Sequence, residues 1–209
     1  MNKWFSILTV VLLLGVSCTR ESIKTLFATQ ETRIETLVSS QLSSNETYTV
    51  TTNEGSTRLI VEAGEGEELT DDKLVSFYYA GYILTGSSLP NASSLFATNS
   101  EEVATAARWD LSKADGDESE DAEASEDADG EDEEEEEPDP RYQIYTVKLS
   151  EAGFIDGLYN GIKGVKGGEE CWIFFSGEHG FGSKQLGVIP ANSAIAYHIW
   201  VHSVQSDEL

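Results

Sequence analysis

Few residues of this chain have the types and spacing to do chemistry, and those few exclude most reaction classes. It has three histidines, His179, His198 and His202. His198 and His202 share one face of an alternating stretch. They stand four residues apart, about 13 Å along a strand, so one metal ion cannot bridge them. His179 lies in the Gly-rich run His179-Gly180-Phe181-Gly182 and reads as a loop residue. Of the two cysteines, Cys171 sits in the apolar run CWIFF and reads as a small buried residue, while Cys18 follows an apolar N-terminal run. No metal-ligand cluster, catalytic triad or phosphate loop stands out, and no cofactor is implied. What remains is three apolar blocks: VSFYYAG (Val75–Gly81), GFIDGLYNGIKGVKGGE (Gly153–Glu169) and GVIPANSAIAYHIWVHSV (Gly187–Val204). Side chains of this kind exclude water from a bound group, but they supply neither a proton nor a nucleophile.

The elements that must position these blocks follow from periodicity. Arg58–Leu69 reads as a strand followed by a Gly-rich acidic turn. Val75–Leu84 sets Val75, Phe77 and Tyr79 against Ser76 and Tyr78, the alternation of a half-buried strand. Gly86–Ser94 is a loop, Leu95–Thr98 a short strand, and Tyr142–Leu149 a strand alternating Tyr145, Val147 and Leu149. Asp156–Ile162 is a short helix ended by Gly164 and the Gly167-Gly168 turn. Glu170–Phe175 and Ala194–Val204 are the last long strands. One helix enclosed by antiparallel strands is an α+β domain. Setting aside an insertion of about 40 residues leaves about 105, enough for one core.

In this order the three blocks resemble the FKBP family of peptidyl-prolyl cis/trans isomerases, over roughly Arg58 to Val204 without the insertion. The resemblance implies an FKBP-like antiparallel β-sheet wrapped around one short helix. It also implies an activity that suits these residue types. Rotating an X–Pro bond means crossing a barrier of about 18–20 kcal/mol. The twisted state has lost amide resonance, so a dry aromatic pocket favours it without any proton transfer. By resemblance that pocket is formed by Tyr79, Phe96, Tyr145, Phe154, Ile155, Leu158, Phe181, Val188, Ile189 and Tyr197. The backbone N–H of Ile155, at a helix N-terminus, would hold a substrate carbonyl.

Three positions depart from the family pattern. Ala97 stands where the family has an aspartate, Leu158 replaces the tryptophan of the pocket floor, and Phe181 replaces a tyrosine whose hydroxyl binds a substrate carbonyl. Each swap keeps the site apolar while removing a polar group or bulk. The expectation is therefore a weak isomerase, with macrolide inhibitors bound more poorly still. A catalytically inactive peptide-binding or chaperone module on the same fold is the alternative.

The ends carry their own signals. Residues 1–18 read as a signal peptide, with Lys3 before the apolar run Phe5–Val16, which is too short to span a bilayer as a mature helix. The run ends Gly15-Val16-Ser17-Cys18, like a bacterial lipoprotein cleavage site, so lipid on Cys18 would tether the chain to a membrane of the bacterial cell envelope. Ordinary secretion with an incidental Cys18 is the bland reading. The ending Ser206-Asp207-Glu208-Leu209 resembles an endoplasmic reticulum retrieval signal and leaves that lumen as the alternative. The divisions expected are 19–56, an N-terminal helix and linker; 57–205, the FKBP-like domain interrupted by a disordered acidic insertion at 100–140; and 206–209, a tail. Leu26, Ile34, Leu37, Val38 and Leu42 fall at helical spacing, with Thr29 or Thr32 as N-cap.

The net charge is −25, and 17 of the 25 residues from Asp115 to Asp139 are Asp or Glu, with no Lys or Arg among them. Charge of this density cannot collapse into a core. With only 13 Lys and Arg in the chain, nucleic-acid binding is disfavoured. The insertion is expected to repel acidic clients and recruit basic ones, with at most loose Ca²⁺ binding. The expected partners are proline-containing segments of exported proteins. Alternation turns Tyr78, Trp172, Phe174 and Trp200 to the outer sheet face, an aromatic surface to be covered by the N-terminal helix or by self-association.

Overall fold

A computed structural model of the chain describes residues 2–108 and 139–207, with side chains described from Arg20 onward. The elements are α1 (Asn2–Ser44), β1 (Thr49–Asn53), β2 (Ser56–Glu62), β3 (Lys73–Ile83), β4 (Leu95–Thr98), α2 (Glu101–Ala107), β5 (Tyr145–Lys148), α3 (Asp156–Ile162), β6 (Glu170–Phe175) and β7 (Ile195–Ser206). The strands form one antiparallel sheet in the order β1-β2-β6-β7-β3-β4, with β5 also paired to β3. This is the α+β domain, an antiparallel sheet around a short helix, that the sequence pattern predicts.

The outer edge of β3 is shared by two short strands in succession. β5 pairs with Leu74–Phe77 and β4 with Ala80–Tyr82. Between them the buried Asn99 substitutes for strand backbone. Its amide nitrogen donates to the carbonyls of Phe77 (3.3 Å) and Gln143 (3.0 Å), and its oxygen accepts from the Tyr79 N–H (2.7 Å). Buried backbone groups must find partners, and one side chain supplies them where neither strand reaches. The acidic insertion enters the chain at this break.

Two cores lie on opposite faces. Inside, α3 packs against a cluster that includes Val75, Phe77, Ile162, Ile173, Phe175, Tyr197 and Ile199. Outside, Ile34, Leu37 and Val38 of α1 bury Leu59, Tyr82, Trp172, Phe174 and Ala196. The N-terminal helix therefore covers much of the aromatic outer face. Buried Gln30 fastens it, its amide donating to the Asn192 carbonyl and accepting from the Gly177 N–H, both at 2.8 Å.

Several expectations need correction. The N-terminal helix does not start at Thr29 or Thr32, whose hydroxyls donate to the carbonyls of Thr25 and Ala28 one turn back, as mid-helix threonines do. Leu26 remains 40 % exposed, because α1 has not yet reached the sheet at that point. The stretch expected to be a linker before residue 57 contains β1, joined to β2 by a two-residue turn of Glu54 and Gly55, both at positive φ. Four of its five residues are exposed, so no apolar alternation announced it. Residues 101–107, assigned to the disordered insertion, form α2, capped by the Ser100 hydroxyl, with Ala104 buried and Val103 and Ala107 packed against the outer core. The remainder of that segment, 109–138, lies outside the described residues, as does the Cys18 side chain. Among the described residues no helix is long and apolar enough to cross a membrane.

Candidate functional site

A cavity of about 420 Å³ opens on the inner face, lined by Phe77, Tyr79, Phe96, Ala97, Tyr145, Ala152, Phe154, Leu158, Phe181, Leu186, Ile189 and Tyr197. Its walls come from distant parts of the chain. β3 contributes Phe77 and Tyr79, β4 contributes Phe96, β5 contributes Tyr145, and β7 contributes Tyr197. Leu158 projects from α3, and the loop before β7 brings Phe181, Leu186 and Ile189.

The rings brace one another edge to face. Phe77 meets Tyr145 at 5.5 Å and Phe154 at 6.1 Å, and Phe96 meets Tyr197 at 5.9 Å and Phe181 at 6.0 Å. Such offset contacts add to burial and fix ring orientation. Their density depends on Gly81, where a Cβ would come within 2.7 Å of Phe96 and 2.9 Å of Tyr197.

The height of α3 over the sheet sets the depth of the cavity. Gly157 and Gly161 face β6 one turn apart, and a Cβ on either would overlap Phe175 or Ile173. Side chains from the β1–β2 hairpin then hold the helix. Ser56 Oγ donates to the Gly157 carbonyl (2.6 Å), and Asn53 donates to Asn160 (3.0 Å). Arg58 Nη1 donates to Gly161 (3.0 Å) and Lys163 (2.8 Å), so a guanidinium satisfies the carbonyls at the C-terminal end of α3. Arg58 is itself buried, with Glu169 3.3 Å away from Nε in an ion pair that lacks hydrogen-bond alignment. Burial pushes the Glu169 carboxyl above its ordinary range, although Arg58 pulls it down. On the solvent side Asp71 accepts from the Tyr159 hydroxyl (2.7 Å) and pairs with Lys163 (2.8 Å).

Among the described residues no charged side chain lines the cavity, and its polar groups include the phenols of Tyr79, Tyr145 and Tyr197. Burial raises the Tyr79 and Tyr197 phenols above their usual value, so both remain neutral donors at any physiological pH. An apolar, aromatic cleft with a few neutral donors suits a small apolar ring flanked by carbonyls.

Eight of the ten residues expected at the site line this cavity: Tyr79, Phe96, Tyr145, Phe154, Leu158, Phe181, Ile189 and Tyr197. Val188 does not; it is 70 % exposed on the adjoining turn. Ile155 lies between Phe154 and Leu158 as the N-cap of α3, packed against the inner core rather than lining the space. Its backbone N–H has no acceptor among the described residues. Ala97, Leu158 and Phe181 all fall in the lining, so all three departures from the family pattern alter the cavity itself. Phe77, Ala152 and Leu186 also line it without having been singled out. Phe77 was findable, because it shares the inward phase of Tyr79 two residues on. Arg58 and Asn99 carried no sequence signal, since their roles depend on carbonyls about 100 and 40 residues away.

The family model for FKBP-type peptidyl-prolyl cis-trans isomerase matches residues 125–202. That span holds α3, β6 and most of β7, whereas Phe77, Tyr79, Phe96 and Ala97 of the cavity lie outside it. No curated protein matches the chain. Among solved structures, the three FKBP domains of wheat FKBP73 match at a TM-score of 0.50 and 16 % identity, over 77 % of this chain and 52 % of that one. The chain thus spans about half the length of the wheat protein. FkpA from Escherichia coli matches at a TM-score of 0.49 and 16 % identity, over 99 % of this chain and 74 % of that one. The N-terminal domain of FKBP42 from Arabidopsis thaliana matches at 0.47 and 12 %, over 75 % and 92 %. The chain has an FKBP-like fold and carries a match to the FKBP-type isomerase domain over its C-terminal part.

Proposed function

We propose that this protein is a peptidyl-prolyl cis–trans isomerase of weak activity, acting on X–Pro bonds of exported proteins. The observation that carries the reading is the aromatic cavity of about 420 Å³, free of charge and lined by eight of the ten expected residues. A prolyl ring seated there is desolvated together with its amide, which favours the twisted, less polar transition state. The phenols of Tyr79, Tyr145 and Tyr197 and the Ile155 N–H supply donors for flanking carbonyls. Phe181 supplies none, and a lost donor that strengthens in the transition state is worth about 1 kcal/mol, roughly fivefold in rate. In this reading lipid on Cys18 holds the protein at the bacterial cell envelope, where it meets unfolded exported chains.

A catalytically inactive peptide-binding module is the second reading. It is favoured by Leu158, which leaves the cavity floor without a large ring. The test is isomerisation of an X-Leu-Pro-Phe peptide by the full chain, beside a Tyr79→Ala variant shown by circular dichroism to be folded. Acceleration that Tyr79→Ala removes supports the enzyme. Peptide binding without acceleration, weakened by the same change, supports the module. Neither acceleration nor binding overturns both.

A further inference from the structure

A second concavity lies on the opposite face of the sheet, where α1 no longer covers the strands. It measures about 640 Å³ and is walled by Tyr78, Tyr142, His198 and Trp200, with Glu101, Glu102 and Glu170 at its margins and, among the described residues, no Lys or Arg in its lining. Strand register builds it: Tyr78 of β3 and Glu170 of β6 are both cross-strand partners of Trp200 on β7. The indole is held in place by a stack. His198 lies 3.8 Å from the Trp200 ring and 4.2 Å from Trp172, and its Nε2 meets Glu170 Oε1 at 2.8 Å. α2 presents Glu101 and Glu102 over this floor, and neither forms an ion pair with another described residue.

Aromatic faces carry negative charge at their centres, and indole carries the most. Carboxylates above such a face add attraction for the same sign of ligand. Anions and acidic peptides are repelled, and a purely apolar group leaves the carboxylates without gain. We infer that this groove is a binding site for a cationic side chain, the guanidinium or ammonium of an Arg or Lys in a polypeptide, seated on Trp200 and Tyr78 beneath the carboxylates of α2. The acidic insertion leaves and rejoins the chain at this groove, through α2 on one side and Tyr142 on the other. The 17 Asp and Glu residues between Asp115 and Asp139 add negative charge to the stretch of chain that links these two walls. The site faces away from the prolyl cavity: Tyr78 and Tyr79, adjacent in sequence, serve different faces.

Amide and indole NMR spectra of the isotope-labelled full chain, titrated with acetyl-Gly-Arg-Gly-amide and with its citrulline isostere in 0.15 M salt, test the assignment. The arginine peptide should shift the Trp200 indole and the Tyr78, Glu102 and His198 amides saturably, and the neutral citrulline peptide should not. The exposed pair Glu101→Gln/Glu102→Gln, which leaves the sheet untouched, should raise the arginine peptide's Kd at least fivefold, as should Trp200→Leu. Equal shifts with both peptides, or a Kd unchanged in both variants, would overturn the proposal. So would shifts confined to residues 115–137, which would mean attraction to the acidic segment alone.

Discussion

The two faces of the sheet are built from alternate residues of the same strands, yet they spend their aromatic side chains differently. The inner face turns Phe77, Tyr79 and Tyr197 into a cavity without charged lining. The outer face turns Tyr78, Trp172 and Trp200 toward helices, and where α1 stops, its groove is margined by three carboxylates. What separates the two is the cover. α3 is short, glycine-notched and anchored by a buried cation, whereas α1 covers its face through the buried Ile34, Leu37 and Val38. The inner face keeps a hollow because α3 is held at a fixed height; the outer face is filled wherever α1 reaches and open where it does not.

Breaking the anchor of α3 should have the largest effect. Arg58→Ala leaves the Gly161 and Lys163 carbonyls and the Glu169 carboxylate buried without their partner. A loss of about 3–5 kcal/mol in urea unfolding is expected, as when one member of a buried ion pair is removed. At temperatures where the variant remains folded, cavity-dependent peptide binding should weaken as well. Breaking the outer cover should separate stability from the cavity. Leu37→Ala, at a fully buried position of α1, should lower stability by about 2–5 kcal/mol while leaving proline-peptide affinity within twofold. An equal loss of affinity would show that the faces are coupled through the sheet.

Smaller changes sharpen the contrast. Phe181→Tyr introduces a hydroxyl at the cavity wall and should raise kcat/KM for a Leu-Pro peptide about fivefold, worth about 1 kcal/mol. No change would mean that the Tyr79, Tyr145 and Tyr197 phenols already serve the substrate carbonyls. The smallest expected signal is a pH slope. The Glu169 carboxyl is raised in the folded chain, chiefly by burial, so the folded state holds more protons than the unfolded one just above the ordinary glutamate pKa. Stability should therefore fall as pH rises from the ordinary glutamate value through the raised one, with Glu169→Gln flattening the slope. A rise in stability over the same interval would reverse the assigned sign.

Legibility in the sequence tracked the range of the forces involved. Period-two alternation located β3 and β5 and the inward phase of Phe77 and Tyr79, whereas β6 showed as the continuous apolar run CWIFF, buried on both faces. Alternation also marked the outer aromatics as needing cover, and α1 provides it for Trp172 and Phe174 but not for Tyr78. It failed at β1, which has no buried face, and at α2, which lies beside a charge run that dominates the local composition. It also cannot foresee the irregularity at His202, where β7 slips against β3 so that Ser76 faces Ser203 while Phe77 faces Val201. The slip restores an inward phase to Val204 after Val201.

Local residue patterns determined the strands, the short α3, the apolar character of the site and the acidic excess, since each depends on neighbours within a few residues. Tertiary structure alone decided which apolar residues surround a void and which merely fill the core. It decided that Val188 points away while Phe77 and Leu186 line the cavity. It also decided that Arg58 and Asn99, polar residues in an apolar setting, hold the site's walls. The physical reason is that a buried polar group is placed by the carbonyls it must satisfy, and folding brings those carbonyls from remote sequence.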